Sequence, residues 1–310
     1  MNKIVVLTGP TASGKSSLSI QMAQRLNGEI VSADSMQIYR NLDVGTAKVT
    51  KEEQNIVPHH LIDIVDLTDN YSVGDFIIAA DKVIADIISR GKLPIIVGGT
   101  GLYVKALLGF QELEYAASDT EEVHKLNAYE LDKLVVELKS LDINRAQKVD
   151  LKNKQRVIRA IQIAKYGKKD AKLTQRPKYD ALVIGLDWPR ELLYERINNR
   201  VTQMVQDGVL KEAQTILDAG GEKLQSGKAI GYKEFFPYLR DQVTLDKAIN
   251  QLQQDSRRYA KRQLTYLRHQ IPGLVWLKGQ TAELRLTEMI EGWLLSLIHI
   301  SEPTRLRCIS

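Results

Sequence analysis

The sequence predicts an α/β protein with a parallel sheet flanked by helices. Three observations support this class. Short runs of apolar, β-branched residues recur along the chain, as in strands buried on both faces of a sheet. Segments with helical periodicity separate these runs, which is the alternation that parallel crossover connections require. Glycine-rich turns follow two of the runs, at the strand ends where such sheets bind ligands.

The first run, Ile4 to Leu7, leads directly into a phosphate-binding motif and is the expected central strand. The residues after it follow the spacing G-x-x-x-x-G-K-[ST], and a helical pattern comes next. Backbone N–H groups, the helix N-terminus and a lysine charge would there surround two linked phosphates, so the fold is expected to be P-loop NTPase-like. The predicted cradle comprises Gly9, Pro10, Thr11, Ala12, Ser13, Gly14, Lys15 and Ser16. The Ser16 hydroxyl is the expected protein ligand of a Mg²⁺ ion that bridges phosphate oxygens.

The second run, residues 29–32, is followed by a loop that carries Asp34. Because ligands bind at this edge of a parallel sheet, Asp34 is expected to face the same crevice as Lys15. From position alone, a helix N-cap or an Asx turn is an equally good interpretation of Asp34.

The next elements complete the first part of the sheet. His59 to Ile64 predicts a strand that begins with a histidine pair; adjacent residues of a strand face opposite ways and no third ligand is evident, so zinc binding is disfavoured. Residues 73–90 predict a helix, and 93–97 a buried strand. That strand ends at a second glycine-rich turn, 98–101, which opens a short helix at 102–108. Two such turns at one crevice favour a phosphorylated ligand.

Residues 110–178 contain no strand-like run, and we predict a helical insertion there, within a core formed by 1–109 and 179–293. Helices are predicted at 128–138 and 155–166. One face of the second helix combines hydrogen-bonding, cationic and aromatic groups, namely Gln155, Arg159, Gln162 and Tyr166. Such a face suits nucleic acid, and an ordinary solvated face is the alternative.

The last third returns to the sheet and ends in a basic helix. Residues 179–186 and 274–277 predict strands. A helix after Pro189 places Arg196 and Arg200 on one face, where they could clamp a diphosphate or pair with acids. The long helix at 245–269 carries arginine and lysine stripes with tyrosines between them, a pattern that can follow a phosphate backbone.

Composition sets further bounds. The 310 residues carry a formal charge of +5 and a pI of about 9.0, and the basic excess is clustered in the second half. A single cysteine, Cys308, excludes an intramolecular disulfide and a cysteine-based zinc site. No apolar run is long enough to cross a bilayer and no signal peptide is evident, so we expect a cytoplasmic protein without membrane contact. Residues 294–310 lack the pattern of the preceding chain and are expected to be a non-native tail. Nothing bears on oligomeric state, and a monomer is the expectation.

These patterns leave three functions open. A P-loop is typical of ATP- and other nucleotide-binding proteins, so a kinase or NTPase is one. However, no apolar run that predicts a central strand ends in an aspartate that is a good candidate for a second magnesium ligand. The basic surface favours a transferase with a large polyanionic acceptor, or an RNA-binding module.

Seven segments in order resemble the bacterial tRNA dimethylallyltransferases, also called tRNA isopentenyltransferases or the IPP transferase family. They are GPTASGKS at 9–16, VSADSMQIYRNLDVGTAK at 31–48, HHLID at 59–63, VGGTGLYVKAL at 97–107, QRVIRAIQI at 155–163, AIGYKEF at 229–235 and YAKRQLTYLR at 259–268. The similarity runs from residue 3 to about 278, and seven blocks in this order are highly specific. The chain departs from the family pattern at 111–127, where no contact is assigned.

The resemblance implies transfer of a dimethylallyl group from dimethylallyl diphosphate to N6 of the adenosine 3′-adjacent to the anticodon of tRNA. Asp34 matches the general base, Thr100 a hydroxyl that orients the amine or the diphosphate, and Lys15 the cation that stabilises the leaving group. Arg200 matches a diphosphate ligand, with Mg²⁺ as cofactor. The positions that match contacts to the tRNA anticodon stem-loop are Asp34, Ser35, Met36, Gln37, Thr100, Gln155, Arg156, Val157, Ile158, Arg159, Arg258 and Arg262.

Overall fold

A parallel sheet organises the chain. The computed structural model describes residues 2–111, 113, 120–167 and 171–295. The strands in this part are β1 (Asn2–Thr8), β2 (Gly28–Ser32), β3 (His59–His60), β4 (Leu93–Gly98), β5 (Tyr179–Asp187) and β6 (Val275–Lys278). Their order is β3-β2-β4-β1-β5-β6, and every pairing is parallel. The predicted α/β class is therefore confirmed, with β1 inside the sheet and its residues Ile4 to Leu7 fully buried.

The helices of the described residues, in chain order, are α1 (Lys15–Arg25), α2 (Lys51–Ile56), α3 (Val73–Ser89), α4 (Gly101–Leu107), α5 (Thr120–Asn127), α6 (Leu131–Leu141), α7 (Ile143–Lys148), α8 (Lys154–Tyr166), α9 (Ala171–Thr174), α10 (Arg190–Gln206), α11 (Val209–Ala219), α12 (Phe236–Leu239), α13 (Leu245–Gln270) and α14 (Ala282–Leu295). Short 3₁₀ turns lie at Gly221–Lys223, Ser226–Lys228 and Lys233–Phe235. The helix α14 includes the first two residues of the expected tail, whereas 296–310 lie outside the described residues.

The chain divides into two compact units. The sheet unit consists of the described parts of Met1–Tyr71, Ala79–Gln111 and Lys178–Ser310, and the helical unit of those of Ser72–Ile78 and Glu112–Pro177. In the sheet unit, apolar residues of the central strands pack against α1 and α14, and a second core surrounds Tyr39 and Tyr232. The helical unit has its own core, which includes Leu134, Leu138 and Ile161.

The predicted strand from His59 to Ile64 is wrong beyond its second residue. Leu61 and Asp63 have φ values of 61° and 55°, which leave the extended region and end β3 at His60. The histidines have other partners than a metal. The His60 ring bonds to the buried carboxylate of Glu29, and His59 Nδ1 to the carbonyl oxygen of Val57.

Glu29 is a buried acid of β2 that is stabilised by neighbouring cations. Arg90 and Lys92 donate to its carboxylate, and His60 contacts it from the next strand. The bonds from Arg90 lower the pKa of Glu29 well below its usual range, although burial opposes them. This network joins β2 to the end of α3 and thereby supports the strand that leads to Asp34.

Candidate active site

The ends of three neighbouring strands lie level at one edge of the sheet. Thr8 of β1 pairs with Gly98 of β4, and Ser32 of β2 pairs with Val97. The loops that follow these strands therefore start side by side. They form much of a cleft of about 580 Å³, together with residues of α10 and α13.

The first of these loops is the P-loop. Gly9, Ala12 and Gly14 have φ values of 150°, 60° and 86°. These conformations turn the backbone around the N-terminus of α1, as a concave anion site requires. The predicted cradle residues from Thr11 to Ser16 line the cleft, whereas Gly9 and Pro10 direct their carbonyl oxygens at Lys15.

Lys15 is held close to the P-loop backbone. Its Nζ donates to the carbonyl oxygens of Gly9 at 2.9 Å and Pro10 at 2.7 Å. Burial lowers the pKa of Lys15 to about 8; the nearby Asp34 opposes this shift, and the Arg200 charge adds to it. Lys15 is therefore a half-buried cation at the edge of the cleft, where its charge can act on a bound anion.

Two arginines of α10 reach the P-loop, as the i, i+4 spacing predicts for side chains on one face. Arg196 Nε donates to the carbonyl oxygen of Ala12 at 2.8 Å, and its guanidinium lies 4.5 Å from the ring centroid of Trp188. Arg200 Nη1 donates to Thr11 Oγ1 at 2.8 Å. Burial lowers the pKa of Arg200, and Asp34 opposes the shift. Both cations line the same cleft as Lys15.

Asp34 borders the same cleft as these cations. Its Oδ1 accepts a hydrogen bond from the Met36 backbone N–H at 2.8 Å, so the Asx-turn interpretation is correct. The same side chain lines the cleft, and its charge acts on Lys15 and Arg200. Within the described residues Oδ2 accepts no hydrogen bond, which leaves it available to a proton donor in the cleft.

The second glycine-rich turn supports the Asp34 loop. Thr100 Oγ1 accepts from the Ser35 backbone N–H at 3.1 Å and lies 3.3 Å from Ser35 Oγ. The Thr100 N–H in turn donates to the carbonyl oxygen of Ala33 at 3.4 Å. Thr100 thus bonds to the residues on both sides of Asp34, whereas Gly98 and Gly99 line the cleft.

Gln37, a predicted tRNA contact, is positioned by a neighbouring loop. Its Nε2 points at the carbonyl oxygens of Thr46 and Ala47, at 3.4 and 3.3 Å, and its Oε1 accepts from Ser32. Glu212 of α11 holds that loop. Its carboxylate accepts from three consecutive backbone N–H groups and from the hydroxyl of a buried tyrosine; these donors are Asp43, Val44, Gly45 and Tyr232.

The inner face of α13 contributes residues that pattern analysis missed. Gln263 lines the cleft and bonds to both glycine-rich turns, and Tyr259 lies one turn before it. Burial raises the pKa of Tyr259 to about 12, and the charge of Asp34 adds to the effect. Arg258 and Arg262 are exposed: Arg258 is 3.4 Å from Asp255, and Arg262 lies over the Tyr259 ring. Trp188, whose Nε1 donates to the carbonyl oxygen of Ser13, was also missed.

In the helical unit, the predicted RNA contacts of α8 differ in their exposure to solvent. Gln155 and Arg156 are exposed and Arg159 is half-buried. Val157 and Ile158 are buried in the unit's core, so their side chains are not available to RNA. The prediction that Gln162 lies on the exposed face is wrong, because only 5% of this residue is exposed.

The side chains and helices of the described residues bear on metal binding and membrane crossing. The described residues contain no group of three or more His, Cys, Asp or Glu side chains that could hold a metal ion. No helix in this part of the chain is long and apolar enough to cross a membrane.

The fold and the cleft define an α/β protein of the P-loop type, in which a phosphate cradle faces a carboxylate. The model of the IPP transferase family matches residues 37–270, and the chain belongs to this family. It is 99% identical over 294 residues to a tRNA dimethylallyltransferase of Leuconostoc mesenteroides, covering 95% of this chain and 99% of that protein. The enzyme of the same name from Leuconostoc citreum is 63% identical over 294 residues, covering 95% of this chain and all of its own length.

Solved structures give the same result. The crystal structure of a tRNA isopentenylpyrophosphate transferase from Bacillus halodurans matches with a TM-score of 0.73 at 42% identity, covering 97% of this chain and 99% of that one. A eukaryotic dimethylallyltransferase described as acting on tRNA matches with a TM-score of 0.79 at 27% identity. This match covers 99% of this chain and 82% of that one. The resemblance carried by the seven sequence segments is confirmed.

Proposed function

We propose that this chain transfers the dimethylallyl group of dimethylallyl diphosphate to N6 of the adenosine 3′-adjacent to the anticodon of tRNA, releasing diphosphate. One observation carries this proposal: a single cleft is lined by the P-loop cradle, its cations and Asp34. The two Leuconostoc relatives are named tRNA dimethylallyltransferases, which supports the transfer of a dimethylallyl group to tRNA. Since bacterial tRNA is cytoplasmic, we place the activity in the cytoplasm.

On the donor side, the cradle binds the diphosphate and stabilises it as a leaving group. Breaking the carbon–oxygen bond leaves the electron pair on the bridging oxygen, where negative charge grows. Lys15, Arg200 and the P-loop N–H groups are in place before this charge forms, so little reorganisation is required. Because both side chains are half-buried, water screens their charges less than it screens charges on the open surface.

Mg²⁺ is the proposed cofactor. Magnesium is commonly bound by one or two protein oxygens with substrate phosphates and water, so a cluster of three protein ligands is not required. The Ser16 hydroxyl lines the cleft beside the P-loop, and a hydroxyl oxygen is a donor that fits the ion. Bound there, Mg²⁺ would neutralise part of the diphosphate charge. Ser16 is the residue that we assign to it.

On the acceptor side, Asp34 is the proposed general base. The lone pair of the adenine amine is delocalised into the ring, so the nitrogen becomes a useful nucleophile only as it loses a proton. As the carbon–nitrogen bond forms, Asp34 Oδ2 accepts that proton. Thr100 bonds to Ser35 and Ala33 on either side of Asp34, and we propose that its hydroxyl orients the amine or the leaving diphosphate. The target adenine must leave the stack of the anticodon loop to reach the cleft.

Each unit carries residues that we propose to contact tRNA. In the helical unit, we propose that the exposed Gln155 and Arg156 and the half-buried Arg159 contact the anticodon stem-loop. In the sheet unit, we propose the same for Ser35, Met36 and Gln37 near the cleft and for Arg258 and Arg262 on the outer face of α13. Cations that face solvent can neutralise phosphates and give salt-dependent affinity.

The test incubates the protein with undermodified tRNA, radiolabelled dimethylallyl diphosphate and Mg²⁺. Label in the tRNA at the adenosine next to the anticodon supports the proposal. If no label is transferred while ATP is hydrolysed without RNA, the protein is a P-loop NTPase instead. RNA binding without either reaction would indicate a binding module.

A further inference from the structure

We infer that Gln263 is a positioning residue for the transfer, because its side-chain amide fixes the P-loop against the second glycine-rich turn. This inference rests on the proposed function, since it concerns the distance between the donor cradle and the Asp34 loop. Gln263 does not need to touch either substrate for this role.

The amide of Gln263 bridges two backbone segments. Its Oε1 accepts a hydrogen bond from the Thr11 N–H at 2.9 Å, and its Nε2 donates to the carbonyl oxygen of Gly99 at 2.9 Å. The residue is 8% exposed, so water competes little for either bond. Among uncharged side chains of this length, only a glutamine offers one acceptor and one donor in this arrangement. The loop after β1 is therefore tied to the loop after β4 through a third element, α13.

Each end of the bridge lies next to a group with a proposed chemical role. Thr11 belongs to the cradle, and its hydroxyl accepts a hydrogen bond from Arg200, the proposed diphosphate ligand. Gly99 precedes Thr100, which bonds to the residues on both sides of Asp34. Gln263 consequently joins the side of the cleft that binds the donor to the side that holds the base.

Gly99 is shaped to this contact. A Cβ atom added at Gly99 would lie 2.4 Å from Gln263 Nε2, and the next nearest atom is 3.4 Å away. The backbone of Gly99 is not in the left-handed region, so an alanine is opposed there by the glutamine and not by backbone strain. The glycine and the glutamine therefore form one fitted pair.

Neighbouring residues hold the helix itself against the second turn. Tyr266, three residues after Gln263, packs so closely on Gly101 that an added Cβ would lie 2.4 Å from its ring. Tyr259, four residues before, lines the cleft. Residues at these spacings share one face of a helix, so the amide is presented by a docked surface and not by a mobile side chain.

Such a bridge is expected to affect the reaction rate because it fixes the distance between the donor cradle and the Asp34 loop. Reacting atoms must approach to about 3–3.5 Å, and a misplacement of about 1 Å can lower a rate by about a hundredfold. A loss of the bridge is therefore expected to lower the rate of the chemical step more than it weakens binding of either substrate.

The experiment compares Gln263→Met with Gln254→Met, a control on the exposed surface of the same helix. Methionine keeps the length and packing of the side chain and removes both hydrogen bonds. Measured quantities are the single-turnover rate with both substrates saturating, KM for tRNA, pyrophosphate affinity and Tm. For Gln263→Met we expect a rate lower by about 10- to 100-fold, with KM and pyrophosphate affinity changed by less than about threefold. Gln254→Met should match the wild type.

A second comparison tests the fitted pair. Gly99→Ala and Gln263→Ala should each lower the rate, but the double variant should equal Gln263→Ala, because the clash is then absent. Additive losses of rate in the double variant would overturn the inference. A wild-type rate for Gln263→Met would also overturn it, and so would a decrease in rate that is fully explained by a lower Tm. If the wild type transfers label while Gln263→Met is equally fast, only this inference fails. A wild type that transfers none overturns the proposed function and this inference with it.

Discussion

The two glycine-rich turns at the sheet edge have similar compositions but use glycine for different reasons. In the P-loop, Gly9 and Gly14 adopt left-handed conformations, as does Ala12, and the backbone curls around the cradle. In the second turn, Gly98 and Gly99 lack such conformations. Side chains are excluded there because Ala33 and Gln263 occupy the space.

This difference separates a turn that binds from a turn that positions. The P-loop is shaped so that its polar groups face the cleft. The second turn is shaped so that another loop can rest on it at close range, and that loop carries Asp34. A glycine-rich turn after a strand is thus not by itself a phosphate site, and its neighbours decide which role it takes.

The largest expected effect concerns the loop that rests on the second turn. It tests whether Asp34 contributes to the chemical step and not to binding of the diphosphate. Asp34→Asn removes the proposed base but keeps the shape of the side chain and its bond to the Met36 N–H. We expect the turnover rate to fall by about 10²- to 10⁴-fold, the usual contribution of a general base. Pyrophosphate affinity, measured by calorimetry, should change by only a few-fold.

The control is Asp241→Asn, an exposed aspartate at a positive φ that asparagine also adopts readily. An unchanged turnover rate for Asp34→Asn would remove the base assignment.

The next effect tests why the second turn requires glycine at position 98. In Gly98→Ala the new Cβ would lie 2.1 Å from the carbonyl oxygen of Ala33, a backbone atom that cannot rotate away. We expect the free energy of unfolding to fall by about 3 kcal/mol or more. Denaturant titration measures it.

Gly91→Ala is the matched control, because Gly91 has a positive φ and open space around it. Its cost should be limited to backbone strain of about 1–2 kcal/mol. Equal losses in the two variants would contradict the crowding explanation for Gly98.

A smaller effect concerns the binding turn alone. Because the pKa of Lys15 is lowered to about 8, the lysine is charged below this pH and neutral above it. Pyrophosphate affinity should therefore fall as pH rises through about 8. In Lys15→Met it should be about 10- to 100-fold weaker at low pH, as for the loss of a charge-assisted hydrogen bond.

The titration of pyrophosphate itself is common to both proteins, so the difference between their pH profiles isolates Lys15. Parallel profiles for the wild type and Lys15→Met would show that Lys15 does not bind the anion.

The smallest effect lies outside both turns. Arg258→Ala and Arg262→Ala should each weaken tRNA binding a few-fold and reduce the slope of log affinity against log salt concentration by roughly 0.7–0.9. Arg285→Ala, on the exposed surface of α14, is the control. If the salt slope stays the same in the two α13 variants, these arginines do not contact phosphates.

Much of the sheet and of the donor side could be predicted from the sequence, because the relevant signals are local. The apolar run of β1, the P-loop spacing and the arginine pair of α10 each lie within one short segment. Asp34 could be placed at the cleft since parallel strand ends share an edge.

Other features have no local signal. Gln263 belongs to a helix whose pattern is dominated by basic residues, and its partner Thr11 is 252 positions away in the chain. Nothing in the sequence announces the positive φ of Leu61 that ends β3. The helix α2 has a capping box at Thr50 and Glu53, but its six residues are too few for periodicity to reveal.

The bonds that Glu212 makes have a consequence for the kinetics of RNA capture. A segment pinned through three successive amides has already lost most of its conformational entropy during folding. If Gln37 contacts tRNA as proposed, an incoming anticodon loop meets a preformed surface there, so the ordering cost of the encounter falls mainly on the RNA. Differences in how readily tRNA species open their anticodon loops should consequently appear in their rates of modification.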